Sequence, residues 1–165
     1  MNPTNKPDFR FILKDYRYFL AFGFGSGLSP KAPGTAGTLV GFPLYFLLAA
    51  FLGSLPLFTV ILVALVAGIP ICDAAGKAVG VADYSGIVWD EIVAFMLVLF
   101  FTHGTWTEYV LAFVLFRLFD IWKPFPIRYI DRHFENGFGV MADDVLAALY
   151  AIIVLFLLRQ TLLAA

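Results

Sequence analysis

The sequence predicts an all-α, polytopic membrane bundle of about five apolar helices behind an amphipathic N-terminal segment. Three observations predict it. The 165 residues are 61% hydrophobic with a mean hydropathy of +0.88, well above the roughly 45–50% apolar usage of soluble domains. The apolar residues come in long runs rather than in alternation, which reads as helix rather than half-buried strand. Charged residues make up 14% of the chain and gather between those runs. At this length one domain over 1–165 is the natural unit, with an amphipathic segment at 1–22 and a membrane body at 23–165.

The opening "MNPTNKPDFRFILKDYRYFLAF" carries charges through Arg17 and has no uninterrupted apolar core. It therefore does not read as a signal peptide. Phe9, Phe11, Ile12, Tyr16 and Phe19 are expected at the membrane interface. Five apolar stretches follow, at 38–52, 57–72, 87–102, 109–122 and 145–158. Most fall somewhat short of the ~20 residues of an ordinary spanning helix, a mismatch that snorkelling or local thinning accommodates. Only "GSLP" separates the first two, a tight turn by its Gly and Pro. Residues 38–72 are thus either two spans or a re-entrant hairpin.

Orientation follows from the positive-inside rule. With the N-terminus in the cytoplasm, Lys6, Arg10, Lys14, Arg17, Lys31, Lys77, Arg117, Lys123, Arg128 and Arg132 all fall inside, and only Arg159 falls outside. The expectation is N-in, C-out. The polar segments 25–37, 73–90 and 123–144 then share the cytoplasmic face, so any chemistry belongs there. A net charge of −1 gives no footing for nucleic-acid binding, which needs a basic patch. Cys72 is the only cysteine, so no internal disulfide forms.

The acids carry the chemical signal. Asp90 and Glu91 begin the third apolar helix, Asp120 closes the fourth, and Asp143 and Asp144 are expected to open the fifth. Three helices therefore present carboxylates at one depth. Acids at helix N-termini also complement the macrodipole by ~0.3–1 kcal/mol or serve as caps, which would suffice for Asp90 or Asp143 alone. That does not cover Asp120, at a helix C-terminus, although Arg117 one turn earlier could pair with it. The neighbouring pairs Asp90–Glu91 and Asp143–Asp144 repel unless something positive lies between them. A hard divalent cation such as Mg²⁺, which takes oxygen ligands and substrate phosphate, is the economical partner. His103 and His133 fall on opposite faces with no cysteine beside them, which argues against a zinc site.

Two further stretches accompany the acids. "FGFGSGLSPKAPGTAGT" lacks the context of a dinucleotide fingerprint and the G-K-[ST] of a P-loop. It is a turn-rich loop, with Lys31, Thr35 and Thr38, leading to a helix N-terminus that could cradle an anion or simply turn the chain. "FRLFDIWKPFPIRYIDRHFENGFG" places Lys123 and Arg128 near Asp120, where Arg can grip phosphate bidentately; positive-inside anchoring is the alternative reading. Pro124 and Pro126 end the helix there, and Trp122 and Tyr129 suit the headgroup level.

Together "GFGSGLSPKAPGTAGT", "DYSGIVWDE", "FRLFDIWKPFPI" and "GFGVMADD" resemble the phosphatidylglycerophosphatase A family, in order and spacing, over residues 22 to about 148. The resemblance implies a bacterial inner-membrane, Mg²⁺-dependent phosphatase that converts phosphatidylglycerol phosphate to phosphatidylglycerol. Its acidic signature falls on Asp83, Asp90, Glu91, Asp120, Asp143 and Asp144, and its basic and hydroxyl positions on Lys123, Arg128, Thr35 and Thr38. The expected roles are metal binding for Glu91, Asp120, Asp143 and Asp144, and catalysis for Asp83, Asp90, Lys123 and Arg128. Lys31, Thr35, Thr38 and Arg117 are expected to bind substrate. Asp73 lies outside the matching blocks. Other phosphatase chemistries lack their motifs: six residues past Cys72 stands Ala78 rather than the Arg of C-x₅-R, and there is no D-x-D-x-T. A CDP-alcohol phosphotransferase would need D-G-x₂-A-R, which is missing. An ion carrier would want its acids near mid-bilayer.

Overall fold

The computed structural model describes residues 6–163, and the described chain is helical with no strand. Helices α1 (Phe9–Ile12) and α2 (Tyr16–Ala21) lead into a 3₁₀ turn at Gly23–Leu28. The long helices are α3 (Pro33–Phe51), α4 (Ser54–Val79), α5 (Trp89–Phe100), α6 (Trp106–Trp122) and α8 (Gly137–Leu163), with the short α7 (Ile127–His133) before the last. Each of the five apolar runs falls largely within one of these long helices.

Three of them are long and apolar enough to cross a membrane: Pro33–Phe51, Ser54–Val79 and Gly137–Gln160. The first two of these make 38–72 a pair of full-length helices by length and composition. α5 differs. Its 12 residues rise ~18 Å, short of the ~30 Å hydrocarbon core. Every residue from Trp89 to Leu99 except Glu91 is buried, because α3, α4, α6 and α8 all pack around it. A helix walled in by protein is apolar all round, as a lipid-facing one is, and the two are alike in sequence.

The close approach of α3 to α5 has a visible cause. Gly34, Gly37, Thr38 and Gly41 are buried along one face of α3, the small-residue spacing that lets membrane helices touch by their backbones. A Cβ at Gly37 would lie 2.6 Å from Val88 Cβ, and one at Gly41 3.0 Å from Phe95 Cδ1. Phe95 then fills the centre, its ring 4.8 Å from Phe42, 5.7 Å from Phe116 and 5.9 Å from Phe113.

The N-terminal segment departs from expectation. Residues 1–5 lie outside the described residues; the rest form two short helices with Asp8 and Asp15 as N-caps. Phe9 and Tyr16 are exposed, but Phe11 and Ile12 are buried. Phe11 stacks on Tyr18 at 5.2 Å and meets Phe22 edge-on at 6.0 Å. The break between α1 and α2 folds the segment back onto the bundle, with α2 against α4, so part of its apolar face serves the core.

A second difference concerns α8. It begins at Gly137, where Asn136 Oδ1 accepts from the amides of Phe138 (3.0 Å) and Gly139 (3.1 Å). Asp143 and Asp144 therefore stand within the helix, beyond its first turn. Neither is a cap, since Asn136 holds that place.

Candidate active site

The long helices alternate in direction, so the starts of α3, α5 and α8 meet the ends of α4 and α6. A pocket of about 280 Å³ lies where they converge. α5 contributes Asp90 and Glu91, α6 Arg117 and Asp120, and α8 Asp143 and Asp144. Asp83 enters from the loop after α4, Lys123 from the end of α6, and Gly34 from the first turn of α3. Six carboxyls face two cations.

Each cation holds carboxylates from different parts of the chain. Arg117 Nη1 lies 2.5 Å from Asp120 Oδ2 and 3.2 Å from Glu91 Oε1, joining α6 to α5. Lys123 Nζ donates to Asp143 Oδ2 at 2.6 Å and also to Asp131 on α7. Lys123 reaches them from a left-handed backbone, φ 47° and ψ 61°, as the chain leaves α6. Ala32, at the start of α3 and also lining the pocket, has φ 46°. For residues with a Cβ, such conformations cost on the order of 1 kcal/mol and concentrate at functional sites.

The acids divide their oxygens. Glu91 gives Oε1 to Arg117 and Asp143 gives Oδ2 to Lys123, while Glu91 Oε2, Asp143 Oδ1, Asp90 Oδ1 and Asp144 Oδ2 are buried without a partner. A buried polar atom left unpaired costs ~1–3 kcal/mol, more when charged. Burial would lower the Lys123 ammonium, but the Asp143 and Asp131 carboxylates outweigh it and hold its pKa up, so it stays charged. Asp83 is open to solvent at the rim, yet the protein packed around its carboxyl pushes its pKa up, with Lys123 opposing the rise.

The pocket gathers eight of the twelve expected site residues: Asp83, Asp90, Glu91, Arg117, Asp120, Lys123, Asp143 and Asp144. Thr38 stands one layer behind, buried, donating to Gly34 O at 2.9 Å and accepting from Arg117 Nη1 at 3.4 Å. It orients Arg117 rather than lining the cavity. Thr35, Lys31 and Arg128 do not line it. Arg128 turns instead to the next cavity along and donates to Trp122 O at 3.3 Å. Two participants escaped the sequence reading. Asp131 shares Lys123, and Gly34 leaves the room in which Glu91 sits, since a Cβ there would fall 1.9 Å from Glu91 Oε1. The small-residue spacing of α3 was the available signal for Gly34; Asp131 gave none.

Fold and pocket together define a helical membrane protein with an acid-rich site at one end of its bundle. The phosphatidylglycerophosphatase A family model matches residues 19–159, and the chain belongs to that family. It is 44% identical to the phosphatidylglycerophosphatase A of Haemophilus influenzae, over 96% of this chain and 98% of that protein. Against the Escherichia coli K12 protein of the same name, identity is 38% over 84% of this chain and 81% of the relative. A Bacteroides thetaiotaomicron relative bearing the name "Putative phosphatidylinositol-3-phosphatase" is 42% identical over 83% of this chain and 89% of its own length. No solved structure matches the chain.

Proposed function

We propose that the chain hydrolyses the terminal phosphomonoester of phosphatidylglycerol phosphate in a Mg²⁺-dependent reaction, giving phosphatidylglycerol and inorganic phosphate. As a member of its family it is a phosphoric monoester hydrolase acting on a lipid. The observation that carries the rest is the pocket's charge. Six carboxyls against two cations would repel a phosphate dianion, and four of the carboxylate oxygens are buried without a partner. A pocket that admits phosphate under those conditions also needs a cation. All-oxygen donors suit a hard ion. Among the described residues no group of three or more acids stands ready to hold a metal. A Mg²⁺ ion would take one or two carboxylates there and complete its shell with water and substrate phosphate.

One or two of the unpartnered oxygens of Glu91, Asp143 and Asp144 would hold the ion, with Asp120 kept beside them by Arg117. Once bound, the ion would supply Lewis-acid polarisation of the phosphoryl oxygens and activation of water. The chain's own groups supply the remainder. Arg117 and Lys123, the two cations lining the pocket, donate to the phosphoryl oxygens as charge accumulates on them. Asp90 accepts the proton of the attacking water through its unpartnered Oδ1, and Asp83 at the rim holds a proton for the departing lipid oxygen. The lysine and arginine distribution supports an N-in, C-out protein of about five membrane-embedded helices in a bacterial inner membrane, its pocket facing the cytoplasm. Acids at the helix ends speak against an ion carrier, whose sites lie near the midplane.

The test is phosphate release by purified protein, with and without Mg²⁺, from phosphatidylglycerol phosphate and, in parallel, from phosphatidylinositol 3-phosphate. The expected result is Mg²⁺-dependent release from the first, with phosphatidylglycerol as the lipid product and at least about tenfold higher kcat/KM than for the second. Diacylglycerol as the main product, or preference for the inositol lipid, overturns the assignment.

A further inference from the structure

A second cavity, about 470 Å³, opens where α6 passes into α7. It shares one lining residue, Lys123, with the acid pocket, but its chemistry is the reverse. No acid lines it; its walls include Trp122, Phe125, Tyr129, Arg128 and Arg132. Arg128 and Arg132 are four residues apart on α7 and so lie on one face. Arg128 spends one donor on Trp122 O, and the Arg132 side chain forms no hydrogen bond or ion pair with any described residue. The three aromatic residues are each more than half exposed, in the composition that seats side chains among lipid headgroups.

Two adjoining cavities of opposite lining chemistry parallel the two chemically different phosphates of the substrate, and the inference rests on the phosphatase reading above. The terminal monoester needs the acid pocket and its cation. The phosphodiester, one glycerol unit closer to the acyl chains, is a monoanion with two free oxygens. It suits guanidinium groups, which bind it by charge-assisted hydrogen bonds. We propose that this cavity is the phosphodiester subsite, with Arg128 and Arg132 as its specificity-determining residues and Lys123 as the partition between the two phosphates. A lipid carrying both phosphates engages both cavities; phosphatidic acid, which has only a monoester, engages one.

The experiment compares kcat/KM for phosphatidylglycerol phosphate and phosphatidic acid in the wild type and in Arg128→Gln/Arg132→Gln. Loss of hydrogen bonds to a charged partner should lower the ratio of the two by about tenfold or more, chiefly through KM for the first lipid. A ratio unchanged within about twofold, including an equal fall for both lipids, would make the arginines general anchors and sink the proposal. If the double variant misfolds, Arg132→Gln alone breaks no described contact and should move the ratio in the same direction. Calorimetric titration with short-chain phosphatidylglycerol, which has the diester and no monoester, reads the subsite without turnover. Binding should weaken at least about fivefold in the double variant; undiminished binding refutes the subsite. A wild type that binds phosphatidylglycerol through these arginines but releases no phosphate would overturn the phosphatase reading and leave the subsite standing.

Discussion

Gly34 sets the space that Glu91 occupies, and Glu91 in turn fixes Arg117 against Asp120. The atom a Cβ at Gly34 would strike is the far end of the Glu91 side chain, with Cδ 3.0 Å away. That chain can swing aside at little cost to folding, but only by leaving Arg117. Gly34→Ala should therefore lower turnover by about tenfold or more while shifting the melting temperature only slightly, since positioning losses of this kind are steep in rate. An unchanged rate would mean the Glu91–Arg117 pair is bystander structure. Asp120→Asn should cost orders of magnitude in turnover with detergent-solubilised folding intact; near-wild-type turnover would reduce its Arg117 pairing to a structural one. At Lys123 two substitutions separate charge from backbone. Lys123→Ala and Lys123→Gly remove the same ammonium, but Gly accepts φ 47° freely, so the Gly variant should be the more stable by about 1 kcal/mol in denaturation and equally poor in catalysis. The acids were legible in the sequence because ionised side chains bordering apolar runs are costly and need a reason. The Thr38–Arg117 bond and the Asp131–Lys123 pair were not, since side chains 79 residues apart, or across the turn into α7, meet only through the tertiary fold.

At the scale of elements, α5 is the post around which α3, α4, α6 and α8 stand, and Asp90 and Glu91 in its first turn are aimed by that enclosure. Phe95→Ala removes a fully buried ring packed among Phe42, Phe113 and Phe116. It should destabilise the solubilised protein by ~3–5 kcal/mol and lower activity with it, measured by denaturation in parallel with turnover; a small change would show that α5 is not the centre of the fold. The helical class was legible because sustained hydrophobicity over a dozen residues suits little else, and Pro43 and Pro70 stand inside α3 and α4 without ending them. The lengths and surroundings of the helices were less readable. α8 starts at Gly137 because Asn136 caps it, a signal easily lost among the glycines of "GFGVMADD". Whether α5 faces lipid or protein depends on neighbours that hydropathy does not see.

For the whole molecule, the alternation of helix direction separates two ends. One holds the pocket; at the other, Arg159 binds Glu108 at 2.7 Å and the carbonyl of Phe101 at 2.7 Å, tying the end of α8 to the start of α6. Residue 105 belongs to that second end and residue 135 to the first. With the N-terminus inside, a membrane-impermeant maleimide should label Thr105→Cys in intact cells and leave Glu135→Cys untouched. Labelling at 135 would invert the orientation. Cys72 is fully buried and should stay silent in both. The long helices also carry exposed apolar flanks, with Leu39 and Leu47 on α3, Val63 and Val66 on α4, and Ile153 and Phe156 on α8. An enzyme so immersed meets its substrate by lateral diffusion in two dimensions, so the concentration it senses is a mole fraction. Diluting proteoliposomes with buffer should leave the rate per enzyme unchanged, whereas diluting the substrate with neutral lipid at constant bulk concentration should lower it. The cell would then set flux through this step by the makeup of the bilayer.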